Sequence, residues 1–271
     1  MANFSKMDAE NIQNSLNPVR LGAKILIFDA VESTNDLARK YLEEGALEGQ
    51  VLIAESQTRG RGRMGRSWVS PPGTGIYMSV LLKPQILPQR LPQLTLMAGL
   101  GTVQAVNEFS SQKAQLKWPN DILLNGKKLS GILSEYHTTQ NGGNAVIIGI
   151  GVNANHSQND FPEDLRPTAT SLRIENENPV DREALATALI RHLDQEYDAF
   201  LRGKNPNIIK KWTDHSDMFG KNISVTKGKS VIHGTALGLD SQGRLLMRIK
   251  NGEEMAFDSG EVSLGSTAQS P

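Results

Sequence analysis

The feature that most restricts the fold is a change of texture near Phe219. Beyond it, five short β-like runs (223–226, 231–239, 244–249, 254–257 and 261–264) alternate with turns such as Lys227-Gly228, Ser241-Gln242-Gly243 and Asn251-Gly252. That spacing predicts a small β-barrel. Before it, apolar strand-like runs (23–28, 51–55, 76–82, 114–118, 145–152) are interleaved with helical segments. Ser33 caps a helix to about residue 44, with Asp36 placed for a capping box and Gly45 as the stop. Residues 91–109 form a long apolar helix. Asp181 caps another to residue 201, with Ala184, Leu185, Ala188, Leu189, Leu193 and Phe200 on its apolar side. Asn125-Gly126 between 122–124 and 129–136 signals a type I′ hairpin, and 163–179 reads as loop. The expected fold class is α+β. A flexible arm (1–20, at best one short helix around 8–16) precedes a mixed-sheet domain with packed helices (21–216), a small β domain (217–266) and a tail (267–271).

Composition narrows the chemistry. The chain balances 29 basic against 29 acidic residues, so no global attraction to nucleic acid or anionic membrane is expected. It contains no Cys, which excludes disulfides, thiolate metal sites and cysteine nucleophiles. The first twenty residues lack an apolar core of signal-peptide length, and no run reaches the ~20 apolar residues of a membrane span. A cytoplasmic location and no membrane partner are the expectations. The five His residues, at 137, 156, 192, 215 and 233, show no ligand spacing. No GxxxxGK[ST], HExxH or GxSxG motif occurs.

Residues 57–68 carry the chemistry. Gly60, Gly62 and Gly65 spell G-x-G-x-x-G, but a dinucleotide-binding loop must open a helix onto the pyrophosphate. Here it runs into Ser67-Trp68-Val69-Ser70-Pro71-Pro72, and no Asp or Glu occurs between Glu55 and Glu108 to take the ribose. What remains is Arg59, Arg61, Arg63 and Arg66 with no local acid. Two such charges ~8 Å apart repel by roughly 2 kcal/mol at an effective dielectric near 20, a strain that a bound anion would relieve. A triphosphate suits forked guanidinium donors and glycine-exposed N–H groups. A solvated basic loop, or an RNA-contacting one, is the bland alternative. It is weakened by the loop's place between two buried strands and by its end at Trp68.

Several motifs together resemble the biotin protein ligases. Gly60-Arg61-Gly62-Arg63-Met64-Gly65-Arg66 is similar to that family's GRGRxGR loop, and Ser33-Thr34-Asn35 to its STN motif. Lys117-Trp118-Pro119-Asn120-Asp121 resembles KWPND, Lys128-Leu129-Ser130-Gly131-Ile132-Leu133 resembles KxxGIL, and Gly149-Ile150-Gly151-Val152-Asn153 resembles GxGxN. The resemblance implies a class II aminoacyl-tRNA synthetase-like catalytic sheet followed by an SH3-like barrel. It implies that biotin is activated by ATP and transferred to a biotin carboxyl carrier domain of a carboxylase. Biotin would be held by Ser33, Thr34, Asn35, Gln57, Arg61, Gly62, Arg63, Lys128 and Gly131. The nucleotide would be held by Arg63, Arg66, Trp68, Lys117, Asn120 and Asn153, with Arg61, Arg63, Arg66, Lys117 and Asp121 assisting catalysis. Mg²⁺ would accompany ATP, with Asp121 as its ligand or as the partner of an arginine. Purely structural roles would be a helix cap for Ser33, a solvated hairpin charge for Lys128 and a turn residue for Asp121. A monomer or a homodimer fits equally.

Two alternatives stand beside this one. A lipoate-type ligase would share the architecture but lack KWPND. A nucleic-acid-binding regulator would resemble those biotin ligases that carry a winged helix-turn-helix. About twenty residues before the first strand are too few for one, and only Trp68 could stack bases near the basic loop.

Overall fold

A computed structural model describes residues 5–138, 143–203 and 208–264. The tail 267–271 and residues 265–266 of the expected small domain lie outside the described residues, as do the first four residues of the arm. The larger sheet contains β1 (Ile25–Phe28), β2 (Val51–Ala54), β3 (Ile76–Leu82), β4 (Gln115–Lys117), β5 (Asp121–Leu124), β6 (Lys127–Thr138) and β7 (Asn144–Val152). Its order is β1-β2-β3-β7-β6-β5-β4, parallel only between β1 and β2. Asn125 and Gly126 both take positive φ, as the type I′ turn between β5 and β6 requires.

Helices cover both faces, which explains why the central strands read as unbroken apolar runs. Leu52, Leu81 and Ile147 turn to one face and meet Ala38 of α2 (Thr34–Glu43). Val51, Ile53, Val80, Leu82 and Ile148 turn to the other, under α3 (Gln93–Asn107). Helix α3 is buried almost all round because α5 (Arg182–Leu201) packs over it. Asp181 caps α5, accepting from the N–H groups of Glu183 and Ala184 at 2.9 and 3.1 Å. Ala184 itself is exposed and does not belong to the apolar side. The stretch 163–179 is not all loop, since Ser171 caps α4 (Leu172–Asn176). A further short helix, α6 (Ile208–Asp214), buries Trp212 edge-on to Phe219.

The expectation of a loosely ordered arm is corrected. Asp8 caps α1 (Ala9–Asn14), and Met7 and Ile12 are buried. The Asp194 carboxylate on α5 accepts from the N–H groups of Val19, Arg20 and Leu21, each at 2.7 Å. Arg182 joins α5 to the Glu55 carboxylate and to the Ser5 carbonyl, both at 2.7 Å. The polar composition of the arm concealed this because its anchors are backbone groups, whose partners lie far along the chain.

The smaller sheet holds β8 (Asn222–Lys227), β9 (Ser230–Leu239), β10 (Leu245–Ile249), β11 (Glu254–Phe257) and β12 (Glu261–Leu264), all antiparallel in the order β11-β10-β9-β8-β12. Its inner residues Val225, Ala236, Met247 and Val262 belong to the same buried cluster as α3 and β7. The Trp118 indole N–H donates to the Gly243 carbonyl at 3.1 Å across the junction. Among the described residues no helix is long and apolar enough to cross a membrane.

Candidate active site

A cavity of about 540 Å³ opens where the ends of β5, β6 and β7 meet the start of α2, the arginine–glycine loop and the small sheet. Every site residue expected from the sequence lines it: Ser33, Thr34, Asn35, Gln57, Arg61, Gly62, Arg63, Arg66, Trp68, Lys117, Asn120, Asp121, Lys128, Gly131 and Asn153. Strand periodicity and hairpin geometry bring these segments together although they span more than a hundred residues of chain.

One end of the cavity is a polar wall. Ser33 is the N-cap of α2, its hydroxyl oxygen accepting from the Asp36 N–H at 3.5 Å, so only this half of the expected capping box forms. The Thr34 N–H and hydroxyl donate to the Gln57 side-chain Oε1 at 2.8 and 3.2 Å, and the Gln57 side-chain amide nitrogen donates to the Ser70 hydroxyl at 2.9 Å. Asn35 is buried behind them. Its amide donates to Glu135 at 2.7 Å and to the Leu133 carbonyl at 3.3 Å, while its oxygen accepts from Ser79 at 2.7 Å.

The floor is made by glycines. A Cβ on Gly151 would lie 2.4 Å from the Trp68 indole nitrogen, so the ring can lie on β7 only because that position has no side chain. Lys128 stands 5.6 Å from the centre of the Trp68 ring.

Three of the four loop arginines are compensated, which corrects the sequence-based expectation. Arg61 pairs with Glu135 at 2.8 Å and Asp36 at 3.1 Å, Arg59 with Glu32 at 3.5 Å, and Arg66 with Glu261 of β12. The acids come from distant segments, where local counting could not find them. Lys128 pairs with Asp121 at 2.7 Å, so the two expected ligand-holding charges hold each other. Two cavity cations, Arg63 and Lys117, have no carboxylate at ion-pair distance among the described residues. Arg63 donates instead to the neutral side-chain amide oxygen of Asn120 at 2.8 Å. Burial lowers the pKa of both below the ordinary value, against the raising influence of Asp121 on each. Arg66 is raised, foremost by its bond to Glu261, and Glu261 is correspondingly lowered. A desolvated, unpaired cation is the group that gains most from an arriving anion.

Asn153 donates to the Thr170 carbonyl at 2.9 Å and Asn120 to the Ile132 carbonyl at 2.8 Å, so both are fixed from behind. The remaining wall was missed by sequence reasoning. Phe161, Leu165 and Ala169 supply apolar surface after β7, and residues 260–264 supply an edge from the small sheet. Neither stretch has a local signature of ligand binding.

Residues 27–153 match the biotin/lipoate A/B protein ligase family, and residues 218–265 match the biotin protein ligase C terminal domain. The chain is 35% identical to the bifunctional ligase/repressor BirA of Bacillus subtilis (strain 168), over 96% of this chain and 80% of that protein. It is 34% identical to the biotin–[acetyl-CoA-carboxylase] ligase of Mycobacterium tuberculosis, over 85% of each. The structure resembles the biotin protein ligase of Aquifex aeolicus in complex with biotin and ATP, with a TM-score of 0.77, 30% identity, and coverage of 90% of this chain and 99% of that one. The chain belongs to the biotin protein ligase family.

Proposed function

We propose that the protein activates biotin with ATP and transfers it to a lysine of a biotin carboxyl carrier domain. In the first step a biotin carboxylate oxygen attacks the α-phosphorus of ATP, forming biotinyl-5′-AMP and releasing pyrophosphate. In the second, the carrier lysine amine attacks the acyl carbon of the mixed anhydride, forming an amide and releasing AMP and a proton. The observation that carries this proposal is the pair of carboxylate-free cations, Arg63 and Lys117, sharing one cavity with the polar wall of Ser33, Thr34 and Gln57.

The ureido ring of biotin needs both donors and acceptors, or roughly 1 to 3 kcal/mol is lost for each group left unpaired. Ser33, Thr34 and Gln57 suit that end. Lys128 would exchange Asp121 for the biotin carboxylate, and Arg63, Arg66 and Lys117 would take the phosphates. Trp68, Asn120 and Asn153 would flank the nucleotide. Among the described residues no three His, Asp or Glu side chains gather as an ion cage. Asp121, once released by Lys128, fits a Mg²⁺ ion that arrives with the triphosphate, since such an ion needs only one or two protein carboxylates. Mg²⁺ bound there would neutralise phosphate charge. The chain's own contribution is positioning and charge stabilisation, and no protein nucleophile is required.

Pyrophosphate release tests the proposal. The parent enzyme should release it with biotin and ATP, and not with lipoate. Arg63→Ala and Lys128→Ala should each lose at least about a hundredfold in rate, in line with loss of one charge-stabilising donor, while keeping the parent's circular dichroism. Release driven by lipoate, or two fully active variants, would refute it.

A further inference from the structure

The Asn35–Glu135–Arg61 chain of contacts belongs to no step of the reaction above. Asn35 lines the cavity, yet every polar atom of its amide is already engaged by the protein, by Ser79, Glu135 and the Leu133 carbonyl. The side chain is also packed flat against β7, since a Cβ on Gly149 would fall 2.2 Å from its oxygen. It is therefore built as a buried relay between β3, α2 and β6. Its outer neighbour, Glu135, uses the same carboxylate oxygen to accept from Asn35 at 2.7 Å and from Arg61 at 2.8 Å. Arg61 sits on the limb of the arginine–glycine loop that enters from β2, and its guanidinium also reaches Asp36 at 3.1 Å. The side chain thus runs toward the sheet and α2 as a peg in an acidic socket.

Resting on the proposed function, we propose that Glu135 is a positioning residue. Its carboxylate ties the Arg61 limb of the loop to the rigid frame held by Asn35, and so keeps the loop seated over the biotin end of the cavity. Arg63 and Arg66 anchor the other limb, to Asn120 and Glu261. The loop is fixed at both ends, and the role of Arg61 is mechanical as much as electrostatic.

The test compares Glu135→Gln, Arg61→Ala and the double variant. Glu135→Gln retains an oxygen for Asn35 but removes the charge that holds Arg61. Trypsin cleavage within residues 59–66 of the ligand-free protein should accelerate about two- to fivefold in each single variant, the scale of a partly exposed ion pair. In Glu135→Gln the KM for biotin should rise by a similar factor, with kcat at saturating biotin changed less than about twofold. The double variant should be no worse than Arg61→Ala alone, because Glu135 acts through Arg61. Parent-like cleavage in both single variants, or effects that multiply in the double, would overturn the role. Should Glu135→Gln fail to fold, Arg61→Ala decides by its cleavage rate. Because cleavage is read without ligand, it decides the latch even if the parent proves not to use biotin.

Discussion

His156 shows how a residue without a chemical task can set the pH range of this molecule. It is fully buried, stacks on Phe161 with ring centres 5.2 Å apart, and places Nε2 3.3 Å from both Thr74 and Tyr77. Burial pushes its pKa down to about 4. Between that value and the ordinary 6.5, the unfolded chain binds a proton that the folded one refuses, so stability rises with pH across this window and is lost on acidification. From pH 7 to pH 5 the loss should be about 2 kcal/mol. Urea unfolding at the two pH values measures it, and His156→Gln should flatten the difference. The five His residues looked alike in the sequence. What separates His156 is its enclosure by Tyr77 and Phe161, which only the fold supplies. The charges of the site teach the same lesson. The positions of Arg61, Arg63 and Arg66 were plain from the motif, but their partners Glu135, Asn120 and Glu261 were not, because no local rule links residues brought together by sheet register.

At the scale of elements, legibility followed length and local chemistry. The hairpin at Asn125-Gly126, the Asp181 cap and the five short strands of the small sheet carry their own turn and periodicity signals. The short helices α4 and α6 do not. The seven residues of α6 include two adjacent β-branched isoleucines, weak helix formers, and the helix is secured by burial of Trp212. The attachment of the N-terminal arm is illegible in the sequence for a related reason. Its attachment depends on one buried carboxylate, Asp194, that satisfies three successive N–H groups. Asp194→Ala should cost about 3 kcal/mol of stability, the scale of buried donors left without acceptors. It should also render residues 5–21 sensitive to protease while β8–β12 keep their protection. Hydrogen exchange read by mass spectrometry would distinguish that local release from global loosening.

At the scale of the whole molecule, the small sheet lines the candidate active site. Glu261 projects from β12 to Arg66 of the loop, and residues 260–264 form one edge of the cavity. The pair is more than a third exposed on both sides, so its worth to stability is small. On the proposed function, its worth lies in aiming Arg66 at the phosphates. Glu261→Gln should therefore raise the KM for ATP by about threefold to tenfold with a melting temperature within about 2 °C of the parent. A matched rise in the KM for biotin instead would place Arg66 at the other end of the cavity.

Placing one wall near residue 33 and another near residue 264 has a temporal consequence for a chain emerging from the ribosome. The β7 floor and the arginine loop can assemble early, but the cleft stays open on one side until β12 has been synthesised and has docked. Contacts of such wide sequence separation form late and slowly. The cavity of a nascent chain is therefore complete only once β12 is in place. An anhydride made in a half-built pocket would lack the walls that retain it.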